Sequence, residues 1–404
     1  MKPLLFNLIA AAGTAIAALF CGCAETPLPN RSVNPVDPIR IGAILPLSGD
    51  NRIYGLRLQD GIRFAAEEIN AGVRLNGRPV ELLIRDNRSN AAVSRQLFQE
   101  LVAAGAEGII AGYDSNELLA VRDLPQTSLV PTVNPMATLN ALSGQRLLYR
   151  TCFSNYQQAR VLAGYAWFWR KLLRIGILVN ADPGDDYSRE IAANVSQAFT
   201  QFGGTVVKIA EYSTSKNEYL PALREVVNAG AQAILIPAGP AESGRLVKLL
   251  RDNGYSGLLL GPDTWDEPEF LKECGSSPGE CAFTGFYSDE FNSPEQKSFR
   301  NRYRSRFYVY PGSCEAQGYD AMRILSIALD RAESVEQVER NMTTLKHHSG
   351  AAGFYSMRDD HEIDRSVFLK TVRPPSSPEE LPTARLFRAI DMSKLDLIQD
   401  KPSQ

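Results

Sequence analysis

The sequence contains 404 residues, of which 44% are hydrophobic, so it is long and apolar enough for two or three folded domains. It carries 43 Lys and Arg residues against 46 Asp and Glu residues, a formal net charge of -3. The excess positive charge that drives generic binding to nucleic acids or acidic membranes is therefore missing, and we expect no nucleic-acid partner.

The N-terminus has the pattern of an export signal. Lys2 precedes a mainly apolar run from Leu4 to Phe20, and a polar, proline-containing stretch follows. Phe20-Cys21-Gly22-Cys23 resembles the bacterial lipobox, in which the cysteine becomes the lipidated first residue, although Phe stands where Leu is usual. We predict a signal peptide at 1–22, lipid attachment at Cys23 and a flexible tether at 23–38. The protein is then exported to the periplasm or outer cell surface; a retained anchor helix is the alternative.

From Ile39 the chain alternates short β-rich apolar runs with helical patterns, as parallel sheets covered on both faces do. Between Leu58 and Ile69, for example, apolar residues recur at helical spacing. Four strands are predicted in this first unit: Ile39–Leu45, Val80–Ile84, Gly108–Ala111 and Leu129–Val133. Their order with the intervening helices makes one Rossmann-like unit.

A second unit of the same kind begins after Tyr149. Its predicted strands are Arg174–Val179, Thr205–Glu211, Ala231–Ile236 and Gly257–Leu260. A further helix, Glu315–Arg331, follows, and the remaining segments are too few for a third domain, so we expect them to complete the first two. The sequence therefore predicts an α/β protein with two Rossmann-like, doubly wound lobes.

Four cysteines remain after the export signal, an even number that suits an oxidising compartment. Cys274 and Cys281 flank the flexible segment Gly275–Gly279, and we predict a disulfide between them. For Cys152 and Cys314, a long-range disulfide and two buried free thiols are equally compatible with the sequence.

Motifs of the common catalytic and metal sites are missing. The sequence contains no Cys-x-x-Cys, His-Glu-x-x-His or Gly-x-x-x-x-Gly-Lys, and no Gly-x-Gly-x-x-Gly follows the first predicted strand, as a dinucleotide site requires. Gly275–Gly279 fits Gly-x-Ser-x-Gly, but Pro278 lacks the backbone N–H that an oxyanion hole needs after Ser277. We therefore predict that the chain is not an enzyme and has no metal site and no cofactor.

Polar segments follow the carboxyl ends of the predicted strands, where open parallel sheets bind ligands. These segments are Leu47-Ser48-Gly49, Tyr113–Asn116 and Asn134–Thr138 in the first unit, and Asp182–Tyr187 and Gly261-Pro262-Asp263 in the second. Taken singly, each of these residues also fits a helix N-cap or a solvated turn. Together they predict where ligand contacts lie.

Four segments in order carry a family resemblance: Ile41–Gly49, Glu68-Ile69-Asn70-Ala71, Ile175-Gly176-Ile177-Leu178 and Leu260-Gly261-Pro262-Asp263. Over roughly residues 39–368 the chain resembles the Leu/Ile/Val-binding-protein family, the type I periplasmic substrate-binding proteins of amino-acid and amide ABC transporters. The resemblance implies two lobes joined by a three-crossover hinge that close on a ligand. Lobe 1 is assigned residues 39–151 plus 287–354 and lobe 2 residues 152–286 plus 355–392, with a tail at 393–404.

The resemblance also implies roles for individual residues. Ser115 matches the serine that receives the carboxylate of an amino acid, with Thr138 beside it. Met136 matches a position whose backbone carbonyl contacts the ammonium. Asp263 matches the acidic residue, usually Glu, that pairs with the ammonium from the other lobe, so this charge pair forms only when the lobes meet.

Tyr54 and Tyr187 match aromatic positions that border the ligand pocket. Around Gly239-Pro240-Ala241 the family often has an aromatic residue over the ligand, and this sequence has none, which changes the size and shape expected for the side-chain pocket. Asp263 is one methylene shorter than Glu. It either reaches the ammonium through water or accepts a different ligand, such as an amide or a basic amino acid.

These features predict a lipid-anchored solute-binding protein that captures an amino acid, branched-chain or another small polar amino acid or amide. The protein is expected to deliver this ligand to an ABC permease in the inner membrane, and to be a monomer because family members work by a hinge. The alternative is a receptor of the same fold that reports the ligand to a kinase or regulator instead of feeding transport.

Overall fold

The structure is a computed structural model that describes residues 25–392, apart from 32, 33, 35, 73, 378 and 379. The predicted signal peptide at 1–22, the lipidation site Cys23 and the tail at 393–404 lie outside these residues. The described chain forms two sheets with helices packed on them. No helix within it combines the length and the apolar character that crossing a bilayer requires.

The first sheet has five parallel strands in the order β2-β1-β3-β4-β5. The strands are β1 (Ile39–Leu45), β2 (Val80–Asp86), β3 (Gly108–Ala111), β4 (Thr132–Asn134) and β5 (Leu148–Arg150). The helices between them are α1 (Arg52–Ala71), α2 (Ala91–Ala103) and the short α3 (Ser115–Leu119) and α4 (Leu124–Ser128). β4 begins three residues later than predicted because Leu129 is left-handed, with a φ of 57°, and Pro131 has no N–H to pair.

The second sheet has the order β11-β12-β13-β10-β9-β8-β6-β7, and β14 also pairs with β13. Its parallel strands are β6 (Arg174–Asn180), β7 (Thr205–Tyr212), β8 (Ala233–Leu235), β9 (Leu258–Gly261) and β10 (Cys281–Gly285). The antiparallel strands are β11 (His348–Gly350), β12 (Gly353–Met357), β13 (Ile363–Arg373) and β14 (Thr383–Asp391). β11 and β12 extend this second sheet. The lobe boundary expected from the resemblance, at residue 354, instead places β11 and the start of β12 in lobe 1.

In the described part of the chain, eight further helices follow β5, and they pack on the second sheet or, late in the chain, on the first sheet. They are α5 (Asn155–Gly164), which continues as a π-helix over Tyr165–Trp169, α6 (Asp186–Gln201), α7 (Leu220–Asn228), α8 (Pro240–Asp252), α9 (Pro268–Glu273), α10 (Pro294–Phe307), α11 (Ser313–Leu329) and α12 (Val335–Thr343). α1 and α11 cross closely: a Cβ at Gly61 would lie 2.0 Å from the Glu315 carbonyl oxygen, so only glycine allows this approach. The α/β fold with two parallel-stranded sheets that the sequence predicted is confirmed.

One buried arginine joins two of the places where the chain passes between the sheets to a turn of the second sheet. The Arg365 guanidinium donates hydrogen bonds to the carbonyl oxygens of Thr151 (2.7 Å), Phe286 (2.5 Å) and Ala352 (2.6 Å), and also to Gln317 Oε1 (2.7 Å). Its side chain is almost fully buried. Thr151 follows β5 and Phe286 follows β10, where the chain passes from one sheet to the other, and Ala352 lies in the turn between β11 and β12. Arg365 therefore ties these three segments together.

The predicted disulfide between Cys274 and Cys281 is wrong, because both are free thiols. Cys274 follows the last turn of α9 and its Sγ donates to the Leu271 carbonyl at 3.3 Å; Cys281 begins β10 and its Sγ donates to the Pro278 carbonyl at 3.3 Å. Both thiols are buried in the apolar core, where they behave as small hydrophobic groups. Cys152 and Cys314 are buried free thiols as well.

These thiols are expected to stay reduced and unreactive in the folded protein. Burial raises the pKa of Cys274 to about 11 and that of Cys281 to about 12, so the nucleophilic thiolate is scarce at neutral pH. Non-reducing peptide mapping should recover both as free thiols, and reductant should leave the Tm unchanged. A drop in Tm on reduction would contradict this prediction.

Candidate functional site

A cleft with a volume of about 460 Å³ lies between the two sheets, at the carboxyl ends of their parallel strands. The first-sheet side is formed by the loops after β3 and β4, and the second-sheet side by the loops after β6, β8 and β9. The residues that line it are Asn51, Tyr113, Asp114, Ser115, Asn116, Met136, Thr138, Leu139, Asn180, Asp182, Pro183, Gly184, Asp185, Tyr187, Gly239, Pro240, Asp263, Thr264, Glu267 and Phe286.

Ser115 lies on the first-sheet side of the cleft, as the first residue of α3. The side chain of Asp114 caps this helix by accepting a hydrogen bond from the Asn116 N–H at 2.8 Å. The Ser115 hydroxyl oxygen accepts a long bond from the Leu139 N–H, 3.4 Å away. Ser115 is therefore held between the loops that follow β3 and β4, where its hydroxyl borders the cleft.

The loop after β4 places Met136 and Thr138 beside Ser115. Asn134 shapes this loop, because its Oδ1 accepts from the backbone N–H groups of Met136 (3.0 Å) and Ala137 (2.8 Å). Its Nδ2 donates to the Ala137 carbonyl at 2.7 Å. Met136 and Thr138 are almost fully buried and both line the cleft. The structure thus brings together three of the four residues predicted for the first lobe's side of the site.

Asp263 lies on the opposite side of the cleft, as the first residue of a 3-10 helix at Asp263–Asp266 after β9. Its Oδ1 accepts hydrogen bonds from the Tyr187 hydroxyl (2.8 Å) and from Gln158 Nε2 (2.7 Å). Burial raises the pKa of the Asp263 carboxyl to about 6, although these two bonds favour the charged form. A carboxylate that is held by two donors and faces a ligand cleft fits the role of an ammonium partner.

Gln158 is a site residue that the sequence analysis missed. It projects from α5 and is fully buried, and its Oε1 accepts from the Asp263 backbone N–H (3.0 Å) and from the Thr284 hydroxyl (2.8 Å). Its Nε2 donates to the Asp263 carboxylate and to Asn155 Oδ1. Gln158 therefore fixes both the backbone and the side chain of Asp263. A glutamine inside a helical pattern carries no sequence signal for this role.

Tyr54 does not line the cleft. It is buried in α1 and stacks on Tyr113, with ring centroids 4.9 Å apart and an interplanar angle of 7°. Tyr113 is the residue of this pair that borders the cleft, while Tyr187 borders it from the second sheet. The aromatic position that the resemblance gives to Tyr54 is thus one layer further from the cavity.

All charged side chains among the cleft-lining residues are acidic: Asp114, Asp182, Asp185, Asp263 and Glu267. Glu267 forms an ion pair with Arg57 of α1 at 3.0 Å, and burial raises the pKa of its carboxyl to about 7. Asp182 accepts hydrogen bonds from Ser213 and Ser215. A ligand in this cleft therefore meets negative charge, which favours a ligand that carries a cationic group.

The cleft has no catalytic or metal-binding arrangement among its described residues. Neither His nor Cys lines it, and no group of three or more His, Cys, Asp and Glu side chains in the described part of the chain is placed to hold a metal ion. Its polar groups are hydroxyl, amide and carboxylate groups around an open cavity. Such an arrangement binds and orients a small polar molecule.

Comparison with known proteins agrees with this geometry. A family model described as periplasmic binding protein matches residues 38–376. The chain belongs to the periplasmic binding protein family. The resemblance to the Leu/Ile/Val-binding-protein family is thereby confirmed, together with the prediction that the chain is a binding protein and not an enzyme.

Several relatives of this periplasmic binding protein are named for the ligands they bind. The Leu/Ile/Val-binding protein homolog 6 of Brucella abortus is 28% identical over 272 residues, which cover 65% of this chain and 68% of the relative. The branched-chain amino acid binding protein LivJ of Streptococcus pneumoniae, in complex with isoleucine, has a TM-score of 0.74 at 22% identity and covers 87% of this chain and 99% of its own. A solute-binding protein of R. palustris in complex with 4-hydroxybenzoate has a TM-score of 0.74 at 23% identity and covers 90% of this chain and 100% of its own. These two structures support the fold and differ in their ligands.

Affinity of the cleft for a ligand that carries an ammonium group is expected to fall at acid pH. Because the pKa of Asp263 is raised to about 6, its carboxylate gains a proton as pH falls through that value and ceases to attract an ammonium group. At pH 5 about a tenth of the carboxyl remains ionised, so the Kd should rise about tenfold relative to pH 7. Calorimetric titration at both pH values measures this change.

The variant Asp263→Asn separates this effect from other titrating groups. Glu267, whose pKa is about 7, also borders the cleft and pairs with Arg57. The Asp263→Asn variant should bind weakly, and its Kd should be nearly the same at pH 5 and pH 7. A tenfold change that persists in this variant would assign the titration to Glu267 instead.

Proposed function

We propose that this periplasmic binding protein captures an amino acid in the cleft and delivers it to an ABC permease. The observation that carries the proposal is the polar contrast between the two sides of the cleft. Ser115 and Thr138 offer neutral hydroxyl and N–H donors on one side, and Asp263 offers a carboxylate on the other. An α-amino acid has the matching pair of groups, a carboxylate and an ammonium.

In this proposal each group of the ligand has a defined partner. The ligand carboxylate binds the Ser115 hydroxyl and backbone N–H with Thr138 beside it, and the ammonium binds Asp263 and the Met136 carbonyl. Tyr187 orients Asp263 and covers the ligand from the second sheet. Because the partners belong to different lobes, the ligand stabilises the closed arrangement of residues 39–151 plus 287–354 against residues 152–286 plus 355–392.

The charge of the cleft favours amino acids over aromatic acids as ligands. A benzoate has a carboxylate but no ammonium, and it would bring a further negative charge to a cleft whose charged lining residues are all acidic. An amino acid instead places its positive group opposite Asp263. We therefore propose that the ligand requires an amino group, unlike the hydroxybenzoate bound to one structural relative.

The test is a thermal-shift screen of the chain from Ala24 onward against the proteinogenic amino acids, small amides and 4-hydroxybenzoate. A ligand at about 100 times its Kd adds roughly 2.7 kcal/mol to the free energy of unfolding, which is readily measured. For each hit, two matched analogues follow: the 2-oxo acid, which lacks the ammonium, and the amino-acid amide, which lacks the carboxylate. Both should bind far more weakly than the hit.

Stabilisation by 4-hydroxybenzoate but by none of the amino acids would overturn the proposal. If the 2-oxo acid stabilises the protein as much as the amino acid does, Asp263 is not the partner of the ligand ammonium. A hit among the amino acids also identifies the preferred ligand side chain. No aromatic residue at Gly239-Pro240-Ala241 shapes this preference, so the acidic residues on the second-sheet side of the cleft are expected to decide it.

We also propose that the protein is exported and attached to a membrane by lipid at Cys23. The support is the sequence of residues 1–23, which lie outside the described structure, together with the family of extracytoplasmic binding proteins. The variant Cys23→Ser should move the protein from the membrane fraction to the soluble fraction. Continued membrane association of Cys23→Ser would indicate a retained N-terminal helix instead.

A further inference from the structure

The first described residues of the chain are bound to α12. Glu25 accepts hydrogen bonds from Ser334 Oγ and Arg340, both at 2.8 Å. The Thr26 carbonyl accepts from the Val335 N–H at 2.9 Å, and its own N–H donates to the Glu336 carboxylate at 2.8 Å. Although the sequence assigns residues 23–38 to a flexible tether, residues 25–30 lie along the surface of the fold.

The attachment continues to Asn30, whose side chain donates to the carbonyls of Val102 (3.1 Å) and Ala106 (3.0 Å) at the end of α2. Glu25 is two positions after Cys23 in the sequence, and two residues reach about 7 Å when fully extended. A lipid at Cys23 therefore leaves little slack between the membrane surface and the α12 end of the protein.

A groove lined by arginines lies at this same end. One part, with a volume of about 460 Å³, is lined by Arg31, Arg74, Asn76, Gly77, Asp330, Arg331 and Glu333. An adjoining part of about 340 Å³ shares Arg74, Asn76 and Asp330 and adds Arg323. We call the two parts together the arginine groove.

The charge of the arginine groove is opposite to that of the whole protein. Its four arginines exceed its two acidic residues, whereas the full sequence has a net charge of -3. Among the ion pairs of the described residues, none includes Arg31, Arg74, Arg323 or Arg331. Guanidinium groups without an acidic partner are available to phosphate oxygens, which they bind in a bidentate manner.

We propose that the arginine groove contacts the headgroups of anionic phospholipids in the membrane that carries the lipid anchor. Arg31 follows directly on the bound segment that begins at Glu25, so the groove and the attachment point share one end of the molecule. The contact holds the protein in one orientation on the membrane. The geometry rests on the proposed attachment at Cys23, whereas the contact itself requires neither the lipid nor an amino-acid ligand.

Vesicle co-sedimentation of the chain from Ala24 onward tests this contact, because that chain has no lipid and retains every described residue. Binding is measured on phosphatidylglycerol vesicles and on phosphatidylcholine vesicles at low ionic strength. Each arginine near an anionic surface strengthens binding roughly fivefold, so the double variant Arg74→Gln/Arg331→Gln should lower the partition coefficient about thirtyfold. Added salt should weaken binding of the unsubstituted chain, since Arg74 and Arg331 are exposed and salt screens their attraction to the headgroups.

The matched control is Arg224→Gln/Arg245→Gln, which removes two exposed arginines from α7 and α8. This control should bind phosphatidylglycerol vesicles as the unsubstituted chain does. Equal loss in both double variants, or no preference for phosphatidylglycerol over phosphatidylcholine, would overturn the proposal. Failure of Cys23→Ser to release the protein, or of the ligand screen, would leave this result unaffected, so the proposals fail separately.

Discussion

Replacing Asp263 with Ala is expected to raise the Kd for the proposed amino-acid ligand by at least about thirtyfold. Truncation of one partner in a desolvated, hydrogen-bonded charge pair costs roughly 2–5 kcal/mol of binding free energy. In this protein the loss also leaves Gln158 Nε2 and the Tyr187 hydroxyl without their shared acceptor. Isothermal titration with the amino acid found in the screen measures the effect.

Two variants serve as references for Asp263→Ala. Ser115→Ala removes one hydroxyl while its backbone N–H remains, so the Kd should rise only about three- to tenfold. Asp186→Ala removes a neighbouring, exposed carboxylate that pairs loosely with Arg189 at 3.7 Å, and the Kd should stay within about twofold. An unchanged Kd for a folded Asp263→Ala protein would exclude Asp263 as the ammonium partner. A larger loss for Ser115→Ala than for Asp263→Ala would reverse the order of importance proposed for them.

Replacing Arg365 with Met is expected to destabilise the fold by about 3–5 kcal/mol or more. Met fills part of the volume but donates no hydrogen bonds, so the buried carbonyls of Thr151, Phe286 and Ala352 lose their donor. The buried Asp320, which is held by Tyr355 and two backbone N–H groups, also loses a nearby positive charge. Chemical denaturation followed by tryptophan fluorescence measures the free energy of unfolding.

The same substitution at an exposed arginine provides the control. Arg245→Met on α8 should change the free energy of unfolding by no more than about 0.5 kcal/mol. Arg365→Lys keeps the charge but lacks the planar fork of donors, so its stability should lie between those of Arg365→Met and the unsubstituted protein. If Arg365→Met is as stable as Arg245→Met, the segments at Thr151, Phe286 and Ala352 do not depend on this guanidinium.

Much of the fold could be predicted from local patterns. β1 and β3 begin and end at the predicted residues, and the predicted helix over Glu315–Arg331 is observed as α11, Ser313–Leu329. β5 and the strands from β10 to β14 were not predicted. β11 to β14 are antiparallel and lack the repeating strand–helix order on which the prediction relied. Four of the five predicted polar segments border the cleft, because parallel strands bring their carboxyl ends to one edge. Leu47-Ser48-Gly49 does not border it, and the Ser48 hydroxyl donates to Asp86 instead.

Individual contacts were harder to predict than elements. No sequence pattern marks Arg365 as a buried residue, and the flexible segment between Cys274 and Cys281 led to the prediction of a disulfide. In the structure, Arg365 is almost fully buried among carbonyls, and each thiol finds an acceptor among its own neighbours. The environment of each side chain is created by packing, and the spacing of residues along the chain does not report it.

The sequence by itself determined the alternation of strands and helices, and hence the two-sheet architecture with polar loops along one edge, because hydrophobic periodicity is a local property of the chain. Only the tertiary structure decided which groups meet. Gln158 and Asp263 are 105 positions apart, and Arg365 and Thr151 are 214 positions apart. Contacts over such separations form when whole elements pack, and the free energy that selects them belongs to the assembled core and to no single segment.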